Sequence, residues 1–352
     1  MKKFLALALA LIMVLSLVAC GGSKKEEPKQ EETQTEETTT PETPAEPEYV
    51  FRCSTNHAES FNVSEALRYW SDLVLERTNG RIKIEIYYDA VLGDEKSAIE
   101  QTQYGGLEFA RVNISPMSEF VDDLNALGMP YLYDNDEHFW EALETIGMDM
   151  MTSQEMIDAG FYGLTWYDGG TRNFYYDADP VHTPADMVGL NLRVQESNLM
   201  MSMVEALGAS AITLPFADVY AGIQTGVCDG AENSVVQYLE MSHYEVAPCI
   251  TLDGHTRSPD MLVMSQKTRE MLSDEDVQII ADAAIESWEL QRGLWADVDA
   301  EARAELESRG ATFVDLTPEE VQTFVDACAP MWEEYEGGKY MDVINEVRAL
   351  VG

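Results

Sequence analysis

The chain has 352 residues, with 64 Asp and Glu against 22 Lys and Arg, for a formal net charge of −42. A balance this acidic excludes nucleic acid as a partner, and any anion must be bound in a locally positive pocket because the long-range field repels it. The five histidines are scattered and the five cysteines stand at neither metal-ligand nor redox-motif spacing, so the sequence calls for no metal and no cofactor.

From the N-terminus, Lys2 and Lys3 precede an almost wholly apolar run, Phe4 to Val18, which leads to "LVAC" and Cys20. The run is short for a membrane span and has the proportions of a signal-peptide core, so residues 1–19 are expected to be a signal peptide. The cysteine directly after the small residue resembles a bacterial lipobox. That resemblance implies that Cys20 carries lipid and holds the chain at the outer face of a membrane. Residues 23–48 carry nine Glu and three Lys with abundant Thr and Pro and nearly no apolar side chains, so 20–48 reads as lipidated cysteine plus disordered tether. No other run of about twenty apolar residues follows, so the chain itself transports nothing across a bilayer.

Residues 49–352 are enough for two domains of roughly 150 residues each. "YVFRCST", "RIKIEIYY" and "LEFARVNI" read as strands separated by helices through "VSEALRYWSDLVLERTNG" and "GDEKSAIEQTQYGG", a rhythm that predicts an α/β fold with a largely parallel sheet. After "AGFYGLTWYDGG" the chain enters new strand material, then a second series of strands and helices. "DMLVMS" reads as a strand returning towards the first domain. From Asp274 to about Gly310 the pattern is helical throughout, long enough to bridge two domains. The expected division is 49–169 plus about 258–298 for domain I, and 170–257 plus about 299–352 for domain II. Discontinuous domains of this kind make a hinge with a cleft between the halves. Cys53, Cys228, Cys249 and Cys328 are expected to be small buried residues, with no disulfide assignable.

No nucleophile elbow or phosphate-cradling glycine loop appears, and paired carboxylates say little in so acidic a chain. Arginines and amides recur instead at strand ends near the expected cleft: Arg172 after a glycine pair, Arg193 in "LRV", Glu232 and Asn233 in "DGAENS", Asn113 and Ser115 in "RVNISP". Strand ends facing a cleft are where open α/β folds hold ligands. In "VGLNLRVQESN" alternation sets Leu190, Leu192 and Val194 on one face and Asn191, Arg193 and Gln195 on the other. From the residues alone, Arg193 is either part of a solvated strand face or a fork of donors for a carboxylate.

The stretch from "GTRNFYYDADPVHTPADMVGLNLRVQESN" through "LPFADVYAGIQTGVCDGAEN" resembles the solute-binding proteins of TRAP (tripartite ATP-independent periplasmic) transporters. The likeness extends upstream through "YDAVLGDEKSAIEQTQYGGLEFARVNISPM" and downstream through "HYEVAPCITLDGHT". It implies a two-domain periplasmic-binding-protein-like fold and a monomeric extracytoplasmic receptor, not an enzyme, that delivers an organic acid to small and large membrane subunits. It also implies that Arg193 forms a bidentate salt bridge with a ligand carboxylate, that Arg172 and Asn233 touch ligand, and that Phe216 is an aromatic wall. "NHAE", "WYDGGTRNFY", "LRVQESN" and "DGAEN" are similar to the branch that binds hexuronates such as glucuronate and galacturonate; Glu196, Asn198 and Ser234 depart from its pattern. Asn233, Glu232, Asn113, Ser115 and His57 are expected to satisfy sugar hydroxyls, and Trp166, Tyr167 and Phe216 to offer ring faces. The alternatives are another organic acid (a C4-dicarboxylate, which calls for a second cation, or a sialic acid-like ligand), a sensor role, or an exported enzyme acting on uronates with His57 as base.

Overall fold

The computed structural model describes residues 46–335, 338 and 340–350; the expected signal peptide, Cys20 and nearly all of the expected tether lie outside the described residues. Two mixed sheets organise the rest. The first contains β1 (Tyr49–Ser54), β2 (Ile82–Tyr87), β3 (Phe109–Asn113), β4 (Phe161–Tyr167) and β10 (Asp260–Ser265) in the order β2-β1-β3-β10-β4. In it β2, β1 and β3 are parallel, and β10 runs antiparallel to both neighbours. The second contains β5 (Thr171–Tyr176), β6 (Asn191–Val194), β7 (Ser210–Thr213), β8 (Gly230–Ser234), β9 (Cys249–Arg257) and β11 (Thr312–Asp315) in the order β11-β9-β5-β8-β6-β7.

The pattern of each strand accounts for its place. In "IKIEIY" Ile82 and Ile84 turn inward and Lys83 outward, as befits β2 at a sheet edge. All five residues of the inner strand β3 are buried. The helix Asn62–Arg77 buries Val63, Ala66, Leu67, Trp70 and Val74, spacings that put them on one stripe. Trp70 packs edge-on against Phe109 of β3, and its indole N–H donates to the Ile280 carbonyl at 3.1 Å.

That carbonyl belongs to the long helix Asp274–Ser308, 35 residues or roughly 52 Å at 1.5 Å per residue. Ser273 caps it by accepting from the Asp276 N–H at 3.1 Å, and three acidic residues in the first turn complement the helix dipole. Its first half packs on the Asn62–Arg77 helix and β4, and its second half on the helix Val235–Glu240 beside the other sheet.

The chain passes from the first sheet to the second between β4 and β5, through Asp168–Gly170, and returns between β9 and β10, through Ser258 and Pro259. Gln291 of the long helix holds the first crossing from both sides: its Oε1 accepts the Asp168 N–H at 2.8 Å and its Nε2 donates to the Asp168 carbonyl at 3.0 Å. The last two helices separate. Pro318–Tyr335 packs on the helix Asn198–Ala206 and β9, whereas Tyr340–Ala349 packs on the 3-10 segment Asp122–Gly128 beside the first sheet. The Val347 carbonyl meets the His138 imidazole there at 2.9 Å. This corrects the assignment of everything from about 299 to 352 to domain II: an amphipathic helix declares an apolar face but not which lobe receives it. All four described cysteines are buried free thiols.

The two crossings are in direct contact. A Cβ on Gly169 would collide with the carbonyl oxygen of Ser258, and backbone has no flexible end to swing aside. Gly169→Ala is therefore expected to lower stability by about 1–3 kcal/mol, the usual cost of forcing a methyl into filled space. Urea unfolding followed by circular dichroism measures it, and a midpoint equal to wild type would show that the crossings are not in contact.

Candidate functional site

Between the two sheets lies a narrow cleft, lined by strand ends from both. The first sheet's side supplies Asn56 and His57 just after β1, Glu95 at the start of the helix Glu95–Gln103, Arg111 and Asn113 of β3, and Asp260 of β10. The second supplies Arg172 of β5, Arg193 of β6, Gln195, Phe216, Asn233 of β8 and Gln237. Six of the sequence-expected residues thus come together: His57, Asn113, Arg172, Arg193, Phe216 and Asn233.

Glu232 and Ser115 do not line the cleft. Glu232 is fully buried behind Arg172, whose Nε and Nη2 donate to its two carboxylate oxygens, with Nη2–Oε1 at 2.8 Å. Ser115 hydrogen-bonds to the Ser258 hydroxyl at 3.0 Å, and its N–H donates to Asn113 Oδ1, so its polar atoms are spent on the chain crossing. Trp166 and Tyr167 are also away from the cleft: Trp166 packs against Gly147, and the Tyr167 hydroxyl bonds to Ser287 of the long helix at 2.8 Å. Aromatic residues on an inner strand serve the core here, so the expected ring faces reduce to Phe216, with the His57 imidazole edge-on to it at 5.6 Å.

Three arginines meet in the cleft, and their partners differ. Arg111 pairs with Asp260 and lies 3.4 Å from Glu95, and its Nη1 donates to Asn56 at 2.7 Å. Arg172 is held by Glu232 and donates to Asn233 at 2.9 Å. Arg193 has no carboxylate within 4.0 Å among the described residues; its Nε and Nη2 both donate to the Leu214 carbonyl, at 2.9 and 2.7 Å. Only 2 % of Arg193 is exposed, and burial lowers its pKa. A guanidinium taken from water and left without a counter-charge is costly.

Other groups tune the cleft. Burial, reinforced by Arg111, pushes the His57 imidazole well below its ordinary range and keeps it neutral; its Nε2 is buried without a partner. Burial raises the Glu95 carboxyl, partly offset by Arg111. The Gln195 Oε1 is a buried acceptor, also without a partner among the described residues. Such acceptors suit donors such as hydroxyls.

Sequence reasoning missed Asn56, Glu95, Arg111, Gln237 and Asp260 as site residues, and it named Gln195 only as sharing a strand face with Arg193. Arg111 stands two residues before Asn113 on the same strand, a signal available from period-two alternation. Asp260 carried none, since it reaches the cleft only by pairing opposite Asn113 across 147 residues of chain.

The profile of the bacterial extracellular solute-binding proteins, family 7 (DctP), matches residues 53–337. The chain belongs to this family. A solute-binding protein of Chromohalobacter salexigens is 34% identical over 242 residues, 68% of this chain and 71% of that protein. The 2,3-diketo-L-gulonate-binding periplasmic protein YiaO of Escherichia coli is 28% identical over 248 residues, 70% of this chain and 74% of that protein. A TRAP periplasmic solute-binding protein from Sulfitobacter sp. NAS-14.1, solved with bound β-D-galacturonate, has a TM-score of 0.81 at 31% identity and covers 86% of this chain and 100% of its own. One from Pseudomonas putida F1, solved with bound D-glucuronate, has a TM-score of 0.82 at 28% identity and covers 86% of this chain and 98% of its own. The two-domain periplasmic-binding-protein-like fold and the TRAP solute-binding class expected from the sequence are thereby shown.

In this solute-binding protein the pair behind the cleft also sets a pH dependence. Burial alone would raise Glu232, but Arg172 and His255 outweigh it and hold the carboxyl at about 2. Burial alone would lower His255, but Asp253, 2.9 Å from Nδ1, and Glu232 lift it to about 9. A His raised in the folded state stabilises fully below its unfolded pKa of about 6.5, and that contribution fades as pH rises towards 9. A depressed Glu stabilises fully above about 4.3 and loses that contribution as pH falls towards 2. The melting temperature is expected to be highest between these limits, and His255→Gln to flatten its decline between pH 6.5 and 9. An unchanged alkaline decline in the variant, by scanning calorimetry, would remove His255 as its source.

Proposed function

We propose that this chain is a lipid-anchored receptor that captures a hexuronate such as D-glucuronate or D-galacturonate in the cleft and passes it to the membrane subunits of a TRAP transporter, without chemical change. The observation that carries the reading is Arg193, the one arginine of the cleft without a carboxylate partner among the described residues. Its free edge takes the ligand carboxylate. His57 Nε2 and the Gln195 side chain accept from hydroxyls, and Phe216 gives a face for the ring.

A C4-dicarboxylate is the weaker reading. It needs two cations, and Arg111 and Arg172 are already neutralised by Asp260 and Glu232. An exported enzyme using His57 as base is weaker still: its imidazole is stacked on Phe61 at 4.2 Å, and burial pushes its pKa well below the ordinary range, which makes it a weak base.

Removing Arg193 leaves a buried ligand anion unpaired, at roughly 3–5 kcal/mol or a hundred- to several-thousand-fold in Kd. Arg193→Lys is also expected to bind poorly, because an ammonium does not reproduce two parallel hydrogen bonds. Calorimetric titration of both variants with glucuronate, galacturonate and a C4-dicarboxylate is the measurement. Binding by Arg193→Ala within about threefold of wild type, well under 1 kcal/mol, would sink the clamp. For the anchor, Cys20→Ala is expected to move the protein from the membrane fraction to the soluble one with binding unchanged; wild-type protein found free of lipid would end that part of the reading.

A further inference from the structure

We propose that Glu119 and Asn198 form a latch across the mouth of the cleft, seconded by Lys96 and Glu196, which sets how long the closed form lasts. The inference rests on the cleft being the ligand site. Glu119 follows the short helix Ile114–Met117 on the side of the first sheet; Asn198 opens the helix Asn198–Ala206 on the side of the second. One carboxylate oxygen of Glu119 accepts the backbone N–H of Asn198 at 2.7 Å, and the other accepts its side-chain Nδ2 at 2.6 Å. Nearby, Lys96 Nζ stands 3.8 Å from the Glu196 carboxylate, again one residue from each side. These residues wall an outer groove that continues inward, past Glu196 and Gln195, to Arg193.

Both pairs join different lobes, so opening at the hinge must break them, whereas the contacts within each lobe survive. The first N–H groups of a helix have no acceptor inside the helix, so in the open form that of Asn198 turns to water, and in the closed form a carboxylate meets it. These two charge-assisted hydrogen bonds and one ion pair are thus among the contacts by which the two states differ, and none of them touches a ligand in the cleft. A difference of that kind shifts the open–closed equilibrium and hence the apparent affinity. Glu119 and Asn198 are positioning residues that act through closure.

The pair can be tested by exchanging donor and acceptor. N198D sets two carboxylates face to face in the closed form only; a carboxylate at the first helical position is otherwise favourable, so the melting temperature without ligand should hold. E119Q leaves an amide N–H facing another donor. The double variant E119Q/N198D restores both contacts, since the introduced amide accepts the backbone N–H and donates to the introduced carboxylate.

With D-glucuronate and D-galacturonate as probes, calorimetry and stopped-flow fluorescence on the full chain should show each single variant binding about three- to tenfold more weakly. The loss should lie in a faster off-rate, with the on-rate within about twofold of wild type and the double variant returning close to wild type. Wild-type off-rates in both single variants, or a double variant no better than the singles, overturn the latch. If the wild-type chain binds neither uronate, the hexuronate reading fails by itself. The cycle is then read without ligand, as the distance distribution between spin labels at V91C and V227C, exposed positions in the two lobes, in a C20S background. The closed fraction must fall in each single variant and recover in the double; identical distributions overturn the latch.

Discussion

A buried guanidinium without a counter-charge constrains everything else in this cleft. Arg193 sits on β6 between β7 and β8, with its alternate residues Leu192 and Val194 packed into the core, so its side chain has no route to bulk water along its own strand. Burial penalises its charge, and the single carbonyl that receives two of its N–H groups does not neutralise it. On the proposed reading, water supplies what is missing with the lobes apart and the ligand anion does so with the lobes together, which couples ligand to closure.

The discontinuous topology serves that coupling. Two short loops between the sheets touch each other at Gly169 and Ser258, and the long helix, itself a third crossing, grips one of them through Gln291. Dihedral change at Asp168–Gly170 and Ser258–Pro259 would let the strand ends that carry the arginines move as parts of rigid sheets. Asn113 links hinge and cleft: its side chain donates to the Ser258 carbonyl and to Asp260, and accepts from the Ser258 hydroxyl. A residue that lines the ligand space is in this way bonded to the crossing itself.

Much of this was legible before any coordinates. The α/β rhythm and the long helix follow from apolar periodicity, and the helix expected from Asp274 to about Gly310 runs Asp274–Ser308. Arg193 and Arg172 were legible as cations at strand ends, where local alternation fixes which face a side chain takes. What escaped was whatever depends on pairing between distant strands. Asp260 pairs opposite Asn113, and Arg111 takes Asp260 and Glu95, residues far apart in sequence. Ser115, Trp166 and Tyr167 were drawn towards the cleft because a strand pattern gives the face but not the depth along the strand. The final helix was drawn to the wrong lobe for a related reason: periodicity has no address.

The charge count in the cleft bears on how so acidic a chain holds an anion and on the kind of anion proposed for it. Arg111 faces Asp260 and Glu95, Arg172 faces Glu232, and Arg193 faces neither. Had all three arginines been unpaired, the cleft would favour a multiply charged ligand and would repel its own halves when empty. Pairing two of them removes that repulsion and makes them rigid donors, since each guanidinium is fixed by its carboxylate before a ligand arrives. The paired arginines then act as hydrogen-bonding scaffold and the unpaired one as charge. A single negative charge carried on a body rich in hydroxyls matches that division, because the remaining partners in the cleft (His57, Gln195, Asn233, Gln237) are neutral and both accept and donate. The long-range repulsion from a chain of net charge −42 is screened within about 10 Å at ordinary salt, so it acts on approach and hardly on a desolvated pair once formed.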